Sequence, residues 1–237
     1  GYTLLIVAAS NAITQAISKT VTFDLMRDFT SVALLASTPY VLAVHPSVPA
    51  RDLKELIALA KANPGKLTFG SSGEGGSTHM AGELLKLRAG IDLLHVPYKG
   101  TPPAISDLVG GRISMMFATQ IMGQVKAGRV RAIAMTSSSR SSIAPDLPTV
   151  IESGFPGFEA GAWFSLAVPA GVPEPIVRNL NAVVNRVGQS QEVRDKLMNQ
   201  SSAEPMPGTP EQAAAFVRND IRRWREIGEK AQITLQQ

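Results

Sequence analysis

Along the middle of this chain, apolar runs of strand length alternate with segments whose apolar residues recur at helical spacing. That alternation confines it to the α/β class, with mainly parallel sheets expected. Residues 32–36, 40–44, 66–70, 93–96, 113–117, 131–136 and 163–168 read as strands. Residues 52–62 place Leu53, Leu56, Ile57 and Ala60 on one helical face, and residues 78–89 form a helix stopped by Gly90. Thr101-Pro102 starts a short helix that ends at Gly110-Gly111, and another is expected near 121–127. Helices close the chain. Residues 175–187 repeat Ile176, Val177, Leu180, Val183, Val184 and Val187 at helical spacing, and Ser190 caps a helix through Met198. Thr209-Pro210-Glu211-Gln212 is a capping box for a helix through Ala231, buried along Val217, Ile221, Trp224 and Ile227. The apolar run at 4–9 reads as a buried parallel strand. Such a strand rarely begins a domain without neighbours, so an upstream segment is expected to be missing.

Of 237 residues, 44% are apolar and 18% charged, enough to bury a core and too apolar for disorder. No apolar run approaches the roughly 18–20 residues that span a bilayer. No secretory signal pattern is present, so any signal is expected to have been removed. The absence of cysteine excludes disulfides, thiol catalysis and cysteine-ligated zinc. The net charge of +4 is mild and scattered; the densest cluster, Arg222, Arg223 and Arg225, is interleaved with Glu226 and Glu229 and reads as a solvated helix face. No strand alternates aromatic and basic residues, so nucleic acid is not an expected partner.

The segment richest in chemistry is residues 70–79, where a strand enters Ser71-Ser72-Gly73-Glu74-Gly75-Gly76-Ser77 and then a helix. A loop of small residues lets backbone N–H groups approach a ligand, and a helix N-terminus adds partial positive charge, so an anion suits it. No lysine follows the last glycine, so it is not a P-loop, and Thr78 stands where a dinucleotide fingerprint needs its third glycine. A carboxylate fits better than a polyphosphate; the plainer alternative is a flexible connection without a ligand. The hydroxyls of Ser71, Ser72, Ser77 and Thr78 are candidate donors, with Ser77 or Thr78 expected to be the N-cap.

His45 is expected exposed, His95 structural, and His79 either a ligand contact or a support for the glycine loop. None has a partner at metal spacing, and no metal or cofactor is expected. No GxSxG, HExxH or SxxK motif is present. Ser137 to Ser139, Ser141 and Ser142 read as exposed linker, and Glu83 and Asp107 as solvated or capping charges. Tyr98, Phe117 and Phe164 lie near strand ends, where open α/β sheets bind ligands; core packing is the equal alternative for the two phenylalanines.

Several motifs in register carry a resemblance. They are Gly1-Tyr2-Thr3-Leu4-Leu5, Asp28-Phe29-Thr30, Leu56-Ile57-Ala58-Leu59-Ala60-Lys61-Ala62-Asn63-Pro64-Gly65-Lys66 and Gly70-Ser71-Ser72-Gly73-Glu74-Gly75-Gly76-Ser77-Thr78-His79-Met80. His95-Val96-Pro97-Tyr98-Lys99-Gly100, Pro145-Asp146-Leu147-Pro148-Thr149 and Gly154-Phe155-Pro156-Gly157-Phe158-Glu159 continue the series. Over essentially its whole length the chain resembles the periplasmic substrate-binding receptors of tripartite tricarboxylate transporters, the Bug receptors.

The resemblance implies a two-lobed type II periplasmic-binding-protein fold lacking its N-terminal segment. Lobe one would hold residues 1–40 and 165–237, lobe two residues 41–164, with crossings near 37–41 and 162–166. It implies a monomeric periplasmic receptor, not an enzyme, that binds a small carboxylate between its lobes and delivers it to membrane permease subunits. Ser71, Ser72, Gly73, Gly75, Gly76, Ser77, Thr78 and His79 match the lobe-two clamp, and the loop at Ala9, Ser10 and Asn11 a pocket wall of lobe one. The resemblance implies upstream residues, a first strand and a gripping loop, that are expected to be missing from this sequence. Ala118 stands where the family commonly has aspartate, which implies a ligand with no group to pair there. Two alternatives stay open. One is an α/β enzyme acting on a small carboxylate or ester through Ser71, Ser77 or His79. The other is a receptor read by a signalling partner.

Overall fold

Short apolar runs between glycine and proline breaks give short strands, and the computed structural model, which describes residues 3–141 and 144–233, places them in two sheets. In chain order the first elements are β1 (Leu5–Ala8), α1 (Ala9–Ile17), β2 (Phe29–Pro39), β3 (Val41–Val44), α2 (Leu53–Ala62) and β4 (Thr68–Ser71). Then come α3 (Ser77–Ala89), β5 (Leu94–Pro97), α4 (Thr101–Val109), β6 (Met115–Ala118), α5 (Met122–Lys126) and β7 (Arg131–Met135). The chain ends with β8 (Gly161–Pro169), α6 (Glu174–Gly188), α7 (Gln191–Ser201), β9 (Glu204–Pro205) and α8 (Pro210–Lys230). The chain divides into two units: Gly1–Thr38 with Ala162–Gln237, and Pro39–Gly161.

The first unit carries the sheet β1-β8-β2-β9. The expected parallel pairing is corrected here: β1 runs antiparallel to β8, with Leu5 opposite Ala167 and Ala8 opposite Phe164, and β2 runs antiparallel to β9. Nor is β1 buried on both faces. Val7 points into the core beside Ala12, Leu25, Trp163 and Ile221, whereas Leu4 and Ile6 are exposed. A continuous apolar run does not reveal strand direction, because either pairing accepts it.

Ala9, Ser10 and Asn11 are not a loop. They are the first turn of α1, where Ala9, Ala12, Ile13 and Ile17 recur at helical spacing and are buried. Asn11 Oδ1 takes the Ala8 N–H at 2.8 Å and closes the helix start. α1 packs on α8, and the close approach depends on Gly228: a Cβ there would lie 2.5 Å from Ile17 Cγ2. α8 has the expected capping box between Thr209 and Gln212 and the expected buried stripe Val217, Ile221, Trp224 and Ile227. The expected helix is α6, in which Val177 is buried while Leu180 and Val184 are partly buried against the same core. Val183 and Val187 are exposed and border an apolar hollow of about 300 Å³ with Leu34, Leu197 and Met206.

The second unit carries the sheet β5-β4-β6-β3-β7. β4 is parallel to β5 and β6, while β3 runs antiparallel to both β6 and β7, so this sheet is mixed. Val41, Ala104, Leu108, Ile113 and Met116 form a core between the sheet and α4. α3 is buried along nearly its whole length and ends, as expected, at Gly90, whose φ of 59° is left-handed. Ser141, expected in an exposed linker, is buried; Ser142, Gly1 and Tyr2 lie outside the described residues.

Candidate functional site

The site starts at the end of β4. Ser71 leads into Ser72-Gly73-Glu74-Gly75-Gly76 before α3 begins. Gly73 has φ 144° and Gly75 φ 68°, backbone shapes that side-chain-bearing residues rarely adopt, so the glycines are needed for the turn itself. The N-cap is Gly76, not Ser77 or Thr78. Both hydroxyls are engaged elsewhere. Thr78 Oγ1 accepts the Ser72 N–H at 2.9 Å and lies 3.0 Å from Ser72 Oγ, while Ser77 Oγ is 2.6 Å from the Tyr40 hydroxyl.

The loop is held from beneath by buried side chains. His79 Nδ1 accepts the Gly75 N–H at 3.0 Å. Ser71 Oγ accepts the Gly73 N–H at 3.2 Å, donates to the Gly73 carbonyl at 3.1 Å and lies 2.7 Å from His95 Nε2. Just beyond β5, Tyr98 N–H donates to Ser71 O at 3.1 Å and Gly100 N–H to Ser72 O at 3.0 Å. In the first turn of α3 the N–H groups of Ser77 and Thr78 have no partner within the helix and form its positive end. The result is a turn of small residues whose Ser72, Gly73, Gly75 and Gly76 N–H groups are all bonded within the protein, with the first turn of α3 beside it.

Beneath it is a polar stack. The His79 and His95 rings lie 3.8 Å apart at 13°, and Phe69 packs against both, 4.8 Å from His95 and 6.2 Å from His79. Glu83 is buried, not solvated as its helical position suggested; it lies 3.7 Å from His79 Nε2 and takes Lys86 Nζ at 2.9 Å. Burial opposes its ionisation, but the bonds from His79 and Lys86 outweigh that and hold its carboxyl below the ordinary range. Burial, then the neighbouring His79, push His95 down to about 4.

The remaining expected residues separate into groups. Tyr98 is partly buried and donates to Asp107 Oδ2 at 2.7 Å, where Arg112 also pairs; burial and then this bond push its phenol up to about 12. Phe117 and Ala118 are buried core, with Phe117 stacked 6.5 Å from Phe158. His45, expected exposed, is partly buried and bonds Ser47 Oγ at 2.7 Å. Ala9, Ser10 and Asn11 belong to the first unit. Sequence reasoning missed Tyr40, which is buried and carries no local signal, and missed Glu83, whose spacing of four from His79 was legible.

Ser71 and His95 form a serine–histidine pair, but Ser71 is wholly buried and the carboxylate of Glu83 lies on the other histidine. Among the described residues no group of three or more His, Asp or Glu side chains is placed to hold a metal, and no helix is long and apolar enough to cross a membrane.

The α/β fold is that of the periplasmic binding proteins. Residues 1–233 match the tripartite tricarboxylate transporter family receptor, and the chain belongs to that family. It is 34% identical over 238 residues to protein BugT of Bordetella pertussis, spanning 97% of this chain and 73% of that protein. Among solved structures it is similar to R. palustris Rpa4515 with adipate, at TM-score 0.88 and 33% identity, covering 99% of this chain and 79% of that one. It is also similar to MatC from Rhodopseudomonas palustris with bound malate, at TM-score 0.80 and 31% identity, covering 94% and 78%.

Proposed function

We propose that this protein is a periplasmic solute receptor that takes a small carboxylate on the Ser72 to Ser77 loop and delivers it to the permease subunits of a tripartite transporter. The observation that carries this reading is the way Ser71, Thr78 and His79 hold the glycine loop from below. Their bonds fix the loop by taking up its own N–H groups, and the first turn of α3 is left to face an anion. The adipate and malate held by the similar proteins support a carboxylate over a phosphate.

Binding without turnover is part of the proposal. A nucleophilic serine must meet its substrate, and Ser71 is closed off. The test is a thermal-unfolding panel of carboxylates, with adipate and malate included, on the full-length protein. A saturating rise is expected, equivalent to about 2.7 kcal/mol at a hundredfold excess over Kd. Gly73→Ala, which forces a side chain into φ 144°, is expected to weaken it. No shift with any carboxylate, or product formed from one, would defeat the reading.

A further inference from the structure

His79 and His95 hold the loop through one contact each. The His79 nitrogen that accepts Gly75 N–H is unprotonated, so the neutral ring carries its proton on Nε2, towards Glu83 at 3.7 Å. His95 lies flat against that ring and touches Ser71 Oγ, the hydroxyl that meets both the N–H and the carbonyl of Gly73.

We propose that this stacked pair is a proton-operated latch: with both rings neutral it fixes the glycine loop for a carboxylate, and protonation of His79 at Nδ1 releases Gly75. The proposal rests on the carboxylate reading above. A proton on Nδ1 turns an acceptor into a donor facing a donor, and the buried Gly75 N–H loses its partner. A second proton, on His95, would stack two like charges face to face.

Two effects of a proton compete. The added charge attracts an anion, and the lost bond loosens the loop that receives it. Glu83 already lies against His79 Nε2 and offsets the charge, whereas nothing replaces the acceptor for Gly75. Weaker binding on acidification is therefore the net direction. The charged groups facing the pair are Glu83 and Lys86 on α3 itself, with Glu74 of the loop exposed. Of the strands packed on α3, β4 and β6 carry no titratable side chain and β5 only His95. The depressed His95, at about 4, keeps its side of the stack neutral until strongly acidic conditions.

The test uses full-length protein, adipate and malate as probes, and NMR of the Gly75 amide and the histidine rings, from about pH 8 to about pH 4.5. The Gly75 amide is expected to shift and lose exchange protection with the midpoint of the His79 ring, while affinity falls roughly tenfold. His79→Asn keeps an acceptor near the place of Nδ1 without a titrating proton, so it should bind at neutral pH and lose the pH step. His79→Leu, with no acceptor, should bind weakly throughout. Affinity that stays flat or rises on acidification overturns the latch, as does a wild-type step in His79→Asn. If neither probe binds at any pH, the carboxylate reading fails and the amide alone decides. Movement with His79 upholds the latch; a Gly75 amide indifferent to His79 protonation overturns it.

Discussion

Thr78 reaches back six residues to accept the Ser72 amide on its hydroxyl at 2.9 Å, tying the start of the glycine loop to the first turn of α3. Thr78→Val keeps the shape and the buried methyl but leaves that N–H without an acceptor. The expected loss is about 1–3 kcal/mol of folding stability, read as a lower urea midpoint. Thr78→Ser should retain most of it. An unchanged midpoint in the valine variant would show that the hydroxyl does not hold the loop.

Gly82 sits inside α3, where alanine would ordinarily gain about 1 kcal/mol of helix propensity. Here the added methyl would collide with the ring of Phe69, which is stacked on His95 and has no free end to swing aside. Overpacking of this kind costs about 1–3 kcal/mol, so Gly82→Ala is expected to lower the melting temperature in spite of the propensity. A higher melting temperature would mean that Phe69 has room to move.

Asp220 anchors the core of the first unit. Its Oδ2 accepts the indole N–H of Trp163 at 2.9 Å and that of Trp224 at 3.1 Å, and Arg223 pairs with Oδ1 at 3.0 Å. Burial pushes this carboxyl up, and the cation and indole donors only partly offset it. Asp220→Ala orphans two buried donors, for an expected loss of about 2–5 kcal/mol. Asp220→Asn retains an oxygen for the indoles and should lose less. Denaturant unfolding followed by tryptophan fluorescence measures both, and equal losses would assign the effect to charge alone.

Acid should weaken the fold through His95. Unfolded, it takes up a proton near its ordinary 6.5; folded, only near 4. Between these values the unfolded chain binds more protons, so stability is intact above about 6.5 and falls as the pH drops towards 4. Glu83, held below the ordinary carboxylate range, adds to the loss further down. Denaturation curves over this range should show the decline, and His95→Gln should flatten its upper part. A wild-type curve level from 6.5 to 4 would contradict the buried, neutral ring.

Much of this was readable from local pattern. The glycine loop between strand and helix, the stop at Gly90, the capping box at Thr209 and the stripe Val217, Ile221, Trp224 and Ile227 are each fixed by residues within a few turns of one another. What stayed hidden depends on residues distant in sequence. The His79–His95 stack joins a helix to a neighbouring strand, and the Trp163–Asp220 bond spans 57 residues. Strand direction was hidden for the same reason, since β1 and β3 find antiparallel partners that apolar runs do not announce. α1 was overlooked although its period was present, because Ser10, Asn11 and Thr14 are weak helix formers and its N-cap, Ala8, has no capping side chain.

Thr136 follows β7, and its hydroxyl accepts the N–H of Tyr40 at 2.8 Å and contacts the carbonyl of Ala160. Those two residues stand at the beginning and the end of the continuous segment Pro39–Gly161, so the segment leaves and returns at one place. Closely spaced ends are what a cassette requires if it is to be excised, transplanted or inserted into a host chain without stretching either terminus. In engineering terms the glycine loop therefore comes packaged in a portable module, pinned shut by a single threonine.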